Sequence, residues 1–158
     1  MKRFLLCLLA LTFSAPVFSQ DLQRPVSNIF LELGGNAGVL SLNYDRRFSK
    51  TNSGFGWRVG VGLGAVPSHI MASFIPTFPL GINYLLGKGS HHLEVGAGVT
   101  LANEDFSPSG ERIASKYFVP SVGYRFQRLK GFSFRVFFSP FLGKKNELSA
   151  GLSLGASF

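Results

Sequence analysis

Ser68 and His69 are adjacent in the sequence, and Glu104, Asp105, Ser107, Ser109 and Glu111 fall close together downstream. A hydroxyl, an imidazole that can take its proton and a carboxylate that can orient the imidazole are the parts of an acyl-transfer site, and Ser68, His69 and Asp105 are the set that would supply them. Neighbours on one loop need not meet, however, and Ser and Asp are ordinary loop residues. Catalysis is therefore the secondary reading. His91 and His92 point to opposite faces of an extended chain, which does not suit a two-histidine metal site. The run Gly60, Gly62, Gly64 lacks the Lys-Ser/Thr of a phosphate loop and lies where a strand is expected. No metal and no cofactor are expected.

The remaining candidates are charged residues set singly into apolar stretches, and the elements that carry them explain why. Apolar and small or polar residues alternate with a period of two over eight segments. The clearest is the last: Leu148, Ala150, Leu152, Leu154, Ala156 and Phe158 alternate with Ser149, Gly151, Ser153, Gly155 and Ser157. Strands are expected at about 29–35, 39–48, 55–64, 77–86, 92–101, 117–126, 132–139 and 147–158. A tight hairpin is expected at Gly34-Gly35-Asn36, short turns at 49–54, 87–89 and 128–131, and longer loops at about 65–74, 102–115 and 142–147. No helical periodicity occurs beyond the first 20 residues.

Residues 1–20 read as a cleaved signal peptide: Lys2 and Arg3, an apolar run from Phe4 to Phe13, then small residues before a cut after Ser19 or Gln20. Residues 21–158 then form one domain, and Cys7, the only cysteine of the 158 residues, leaves with the signal. The formal charge falls from +8 to +6 with Lys2 and Arg3. The basic residues are scattered over turns (Arg46, Arg47, Lys50, Lys88, Arg128, Lys130) without a helical face, so no nucleic-acid partner is expected.

Eight strands of alternating long and short connection make an all-β, eight-stranded antiparallel up-and-down barrel, because a terminal strand needs a partner for its edge and the first strand is available. The orientation of the two faces follows from charge. Across all eight strands the apolar face holds one charge, Arg46, as lipid exposure demands, while the other face is mainly Gly and Ser and would be a poor solvated surface. The inward face then carries Glu32, Asp45, Arg47, Arg58, Glu94, Arg125 and Arg135, four positive and three negative, which can pair in a plugged, polar interior. Gly60, Gly62, Gly96, Gly98, Gly123, Gly151 and Gly155 would make room for the arginines. Tyr44, Trp57, Tyr84, Tyr124 and Phe158, with Phe48, Phe55, Phe126 and Phe132, gather towards one end as an interfacial girdle. Pro79 and Pro140 are expected near strand ends, and Pro120, inside the sixth strand, calls for a bulge or a break.

With its signal peptide, eight alternating strands, girdle aromatics and final Phe158, the sequence resembles the small eight-stranded outer-membrane β-barrel family, similar to the transmembrane domain of outer membrane protein A and its single-domain relatives. The resemblance covers about Asn28 to Phe158 and is architectural. It implies a transmembrane β-barrel of the bacterial outer membrane, with both termini and the short turns periplasmic and the long loops outside. It also implies outer-membrane lipids as surroundings, and recognition of Leu152, Leu154 and Phe158 by the barrel assembly machinery. A structural or adhesive role through the loops is the leading functional expectation, with no ligand specified; a lipid-modifying hydrolase or acyltransferase is the alternative.

Overall fold

The computed structural model describes residues 26–66, 73–103, 114–143 and 146–158. The signal-peptide segment lies outside them. Eight strands, β1 (Ser27–Gly34), β2 (Leu40–Arg47), β3 (Gly54–Val66), β4 (Ser73–Leu86), β5 (His91–Asn103), β6 (Ala114–Gln127), β7 (Gly131–Phe138) and β8 (Ala150–Ser157), follow one another around a closed barrel. Every neighbouring pair is antiparallel, and β8 pairs with β1 from Asn28↔Ser157 to Gly34↔Gly151. Main-chain bonds between Ser27 and Phe158, 2.9 and 3.0 Å, complete the seam. Closure removes every free edge, so the fold expected from the alternation is the fold observed.

The strands differ from expectation at their ends. β4 and β6 begin at Ser73 and Ala114, earlier than the sequence pattern indicates. β8 begins later, at Ala150, because β7 stops at Phe138 and Phe141 and Glu147 form a separate bridge across a small turn. The alternation through Leu148 therefore continues past the point where a partner strand ends. Leu148 is 81% exposed.

The prolines account for the two gaps in the ladders. β3 and β4 share one register, yet no pairing joins Gly60 with Pro79 or Val61 with Phe78. The same holds between β6 and the chain after β7, where pairing runs to Val122↔Phe138 and resumes at Phe118↔Leu142. At that register Pro120 stands opposite Pro140. Phe118 and Leu142 exchange both main-chain bonds, at 2.9 and 2.8 Å, so the next rung of this type, two residues on, is Pro120 with Pro140. Neither proline has an N–H, and the two missing donors share one rung. On its other side Pro120 pairs with Ala97 without interruption. The sixth strand thus has neither bulge nor break towards β5, and Pro79 lies within β4, away from the strand end where it was expected.

The two faces separate cleanly. Ile29, Leu31, Leu42, Val61, Leu80, Ile82, Leu93, Val95, Val122, Leu152 and Leu154 are exposed on the outer wall, while Glu32, Asp45, Arg47, Arg58, Glu94, Arg125 and Arg135 are buried. The distribution inverts that of a water-soluble domain.

Candidate functional site

Inward positions on six strands place the seven charged residues in one connected set. The order is Arg47, Asp45, Arg125, Glu94, Arg135, Glu32, Arg58. Consecutive members are separated by 2.6, 3.2, 3.4, 2.9, 3.3 and 3.3 Å. Signs alternate along the row and both ends are arginine, so each carboxylate lies between two guanidinium groups. Asp45 also accepts a hydrogen bond from Asn83 Nδ2 at 2.6 Å, and Asn83 in turn accepts from Arg47. A charge moved from water into an apolar wall is costly unless paired, and this arrangement pairs all three acids.

The interior is not polar throughout. Phe30, Leu85, Val119 and Phe137 point inward and are buried. The Arg135 guanidinium lies 5.0 Å from the Phe30 ring centroid and 4.4 Å from that of Phe137, a cation held between two π faces. Phe137 reaches that position because Gly35, Gly123 and Gly151 leave the space its side chain fills. Here the structure corrects the sequence reading of the glycines. Gly60 and Gly62 make room for Asn43 and Ser41, Gly96 for Ser121, Gly98 for the β4 backbone and Gly155 for Phe30, whereas the glycine that gives way to an arginine is Gly56, beside Arg47.

At one end residues Gly35–Ala37 form a 3₁₀ turn folded into the barrel, with Asn36 and Ala37 buried. Asn36 N–H donates to Glu32 Oε1 at 3.0 Å, Thr100 Oγ1 donates to the Asn36 carbonyl at 2.6 Å, and Thr77 Oγ1 to that of Ala37 at 3.1 Å. The Asn36 side-chain amide lies between Arg58 and Ser139, and hydrogen bonding is satisfied when its oxygen faces Arg58 and its nitrogen Ser139. Positive φ at Gly34, Gly35 and Gly38 allows the chain to turn inward and back. At the opposite end Asn52, in the turn between β2 and β3, donates to the carbonyls of Gln127 and Gly89. The tight hairpin expected at Gly34-Gly35-Asn36 does join β1 to β2, with Leu33 opposite Leu40, and its turn folds inward instead of projecting into solvent. One signal for it was present: Gly34 to Gly38 contains no charge and one polar side chain, unusual for a solvated connection.

Aromatic side chains surround the end that holds Asn52. Tyr44 and Trp57 rings are 5.5 Å apart, Phe55 and Tyr84 4.7 Å, and Phe126 lies 6.4 Å from Phe132. The Tyr44 hydroxyl is 3.0 Å from Ser27 Oγ, and that of Tyr124 is 2.6 Å from His91 Nδ1. Phe158 is exposed at the same end. The opposite end has phenylalanines on its outer wall, Phe74, Phe78 and Phe118.

Ser68, His69 and Asp105 lie outside the described residues. Among the described residues no group of three or more His, Cys, Asp or Glu is placed to hold a metal. His91 is exposed on the outer wall and His92 is buried inside. Among the described residues each interior carboxylate, Glu32, Asp45 and Glu94, is engaged by arginine.

No protein-family model matches the chain. Sugar transport protein MST8 of Oryza sativa subsp. japonica is 40% identical over 73 residues, 44% of this chain and 14% of that protein. The chain thus spans far less than two thirds of that relative. Among solved structures, the N-terminal β-barrel domain of Pseudomonas aeruginosa OprF superposes with a TM-score of 0.60 at 18% identity, over 86% of this chain and 98% of that one. Ail, the attachment invasion locus protein of Yersinia pestis, gives a TM-score of 0.45 at 12% identity, over 85% and 97%. The chain has the closed eight-stranded up-and-down fold of the outer-membrane β-barrels.

Proposed function

We propose that this chain is an integral protein of the bacterial outer membrane, a plugged barrel with a structural or adhesive role exercised through its connecting loops. The observation that carries the reading is the inversion of its faces: an outer wall of Ile, Leu, Val and Phe around an interior that holds seven paired charges and a folded-in turn. Lipid is the solvent that such a wall fits. The termini and short turns face the periplasm in this reading, and the loops around 67–72, 104–113 and 139–149 carry partner specificity outside.

Substitution Leu154→Arg tests the location. Leu154 is 56% exposed, sits midway along β8 and faces Leu31 and Phe134 of the flanking strands. In lipid the change should lower stability by about 2–4 kcal/mol, as an arginine at the bilayer midplane does. In a water-facing wall it would be nearly neutral, and a neutral result in unfolding titrations from bilayers would sink the membrane reading.

The plugged interior has its own test. Planar bilayers containing the purified barrel should show no steady, large conductance. An eight-stranded barrel has room for its own side chains and little more, and here Phe30, Phe137 and the four arginines occupy that room. Sustained open-channel current would overturn the structural role in favour of transport.

A further inference from the structure

The outer rim at the Asn52 end has a charge distribution that the barrel itself does not require. Arg46, Lys88, Arg128 and Lys130 are all exposed there, and the acids nearest that rim among the described residues, Asp45 and Glu94, are buried inside and paired with arginine. Among the described residues the other rim exposes one cation and one acid, Lys116 and Glu147. Opposite-sign surface charges would normally accompany such a group of cations to limit their mutual repulsion. A one-sided excess points to an anionic partner.

The position of these cations identifies the partner's chemistry. Arg46 stands on the outward face of β2, and the other charge on that face of the described strands, Lys116 of β6, lies towards the opposite rim; Arg46 pairs across β2 and β3 with Trp57, whose ring stacks near Tyr44. Arg128 lies over the Phe126 ring at 5.8 Å, and Phe126 in turn packs edge-on against His91 at 5.3 Å. Phe48 and Leu129, next to these cations in sequence, are also exposed. Arg46 and Arg128 thus sit at the border of an aromatic band whose far side is aliphatic. A molecule that meets all three layers has a negatively charged head, an amphipathic boundary and hydrocarbon chains. A soluble acidic protein or a nucleic acid would meet the cations and find only apolar wall beyond them.

We propose that this rim binds anionic glycerophospholipid headgroups, of the phosphatidylglycerol type, in the leaflet that surrounds the aromatic girdle. Arg46 with Trp57 and Tyr44 forms one contact region, and Arg128 with Phe126, His91 and Tyr124 a second. The inference rests on the membrane location proposed above. Anionic lipid then anchors the barrel's depth as well as its aromatics do, because a cation displaced from the phosphate layer loses its counter-charge.

The single tryptophan, Trp57, reports on the first region directly. The folded barrel is reconstituted in phosphatidylcholine vesicles containing either brominated phosphatidylcholine or brominated phosphatidylglycerol, and the quenching of Trp57 gives the relative affinity of the two lipids beside it. A preference of about fivefold for phosphatidylglycerol is expected, corresponding to about 1 kcal/mol for one cation at an anionic surface. Arg46→Gln should bring the ratio close to one, and high salt should reduce it in the parent. Equal quenching by the two lipids in the parent, or a preference unchanged by Arg46→Gln, overturns the proposal and leaves the membrane location intact. Absence of quenching by either lipid removes both. Arg46 makes no ion pair with the interior set, and unheated-gel migration of the variant verifies that it folds.

Discussion

An Asp45→Asn barrel should unfold with a free energy about 3–5 kcal/mol below the parent, as buried ion pairs do when one partner is removed. The side chain keeps its size, so the loss is one of charge. Asp45 stands between Arg47 at 2.6 Å and Arg125 at 3.2 Å and is fully buried. The row of seven already holds four arginines and three acids. Removing an acid takes its net charge from +1 to +2 and leaves Arg47 with no carboxylate in the row, whereas removing Arg47 brings the net to zero. Arg47→Met should therefore be milder than Asp45→Asn, and the double variant should recover part of the loss because it restores the +1 balance. Denaturant titrations followed by Trp57 fluorescence give all three values. Additive losses in the double variant would mean that Asp45 acts by shape or hydrogen bonding, and that the alternation of sign along the row contributes little.

Gly155→Val is expected to abolish closure. Gly155 lies on β8 opposite Phe30 of β1 and Ser133 of β7. A Cβ at this position would meet the carbonyl oxygen of Ile29 and the Cα and Cβ of Phe30, at separations that backbone atoms cannot relieve without moving the strand. Parting β1 from β8 there exposes main-chain N–H and C=O groups along the seam, each costing several kcal/mol in hydrocarbon. Ala156→Val, one residue on and facing outward, adds two carbons to the outer wall and should leave folding intact. The measurement is the fraction of protein that migrates as compact barrel on an unheated gel. Normal folding of Gly155→Val would show that the seam tolerates a gap, and that closure depends less on the β1–β8 contact than its geometry implies.

Much of this was legible in the residues because a strand with two different faces writes its pattern with a period of two. Leu31, Leu42, Val61, Leu80, Val95, Val122 and Leu154 alternate with Glu32, Asn43, Gly62, Gly81, Glu94, Gly123 and Ser153, and each strand shows its own in-and-out pattern locally. Closure followed from the need of β8 for a partner. Which charges face inward also followed from parity, since a strand residue's side is fixed by its count from its neighbours. Strand ends were less visible: Pro140 marks the end of β7 at Phe138, but Leu148 continues the β8 pattern beyond the last β7 partner, and its own alternation does not record that.

The sequence by itself determined the strands, the sidedness and the presence of an interior set of charges, because these depend on nearest neighbours along the chain and on the solvent outside. Only the tertiary structure decided who meets whom. The stagger of the strands brings Arg135 to Glu94 and Glu32 and between two phenylalanine rings, sets Pro120 opposite Pro140, and brings Gly35–Ala37 back into the barrel. These contacts join residues up to about a hundred positions apart, and their partners are fixed by the register of closure, which no single strand contains.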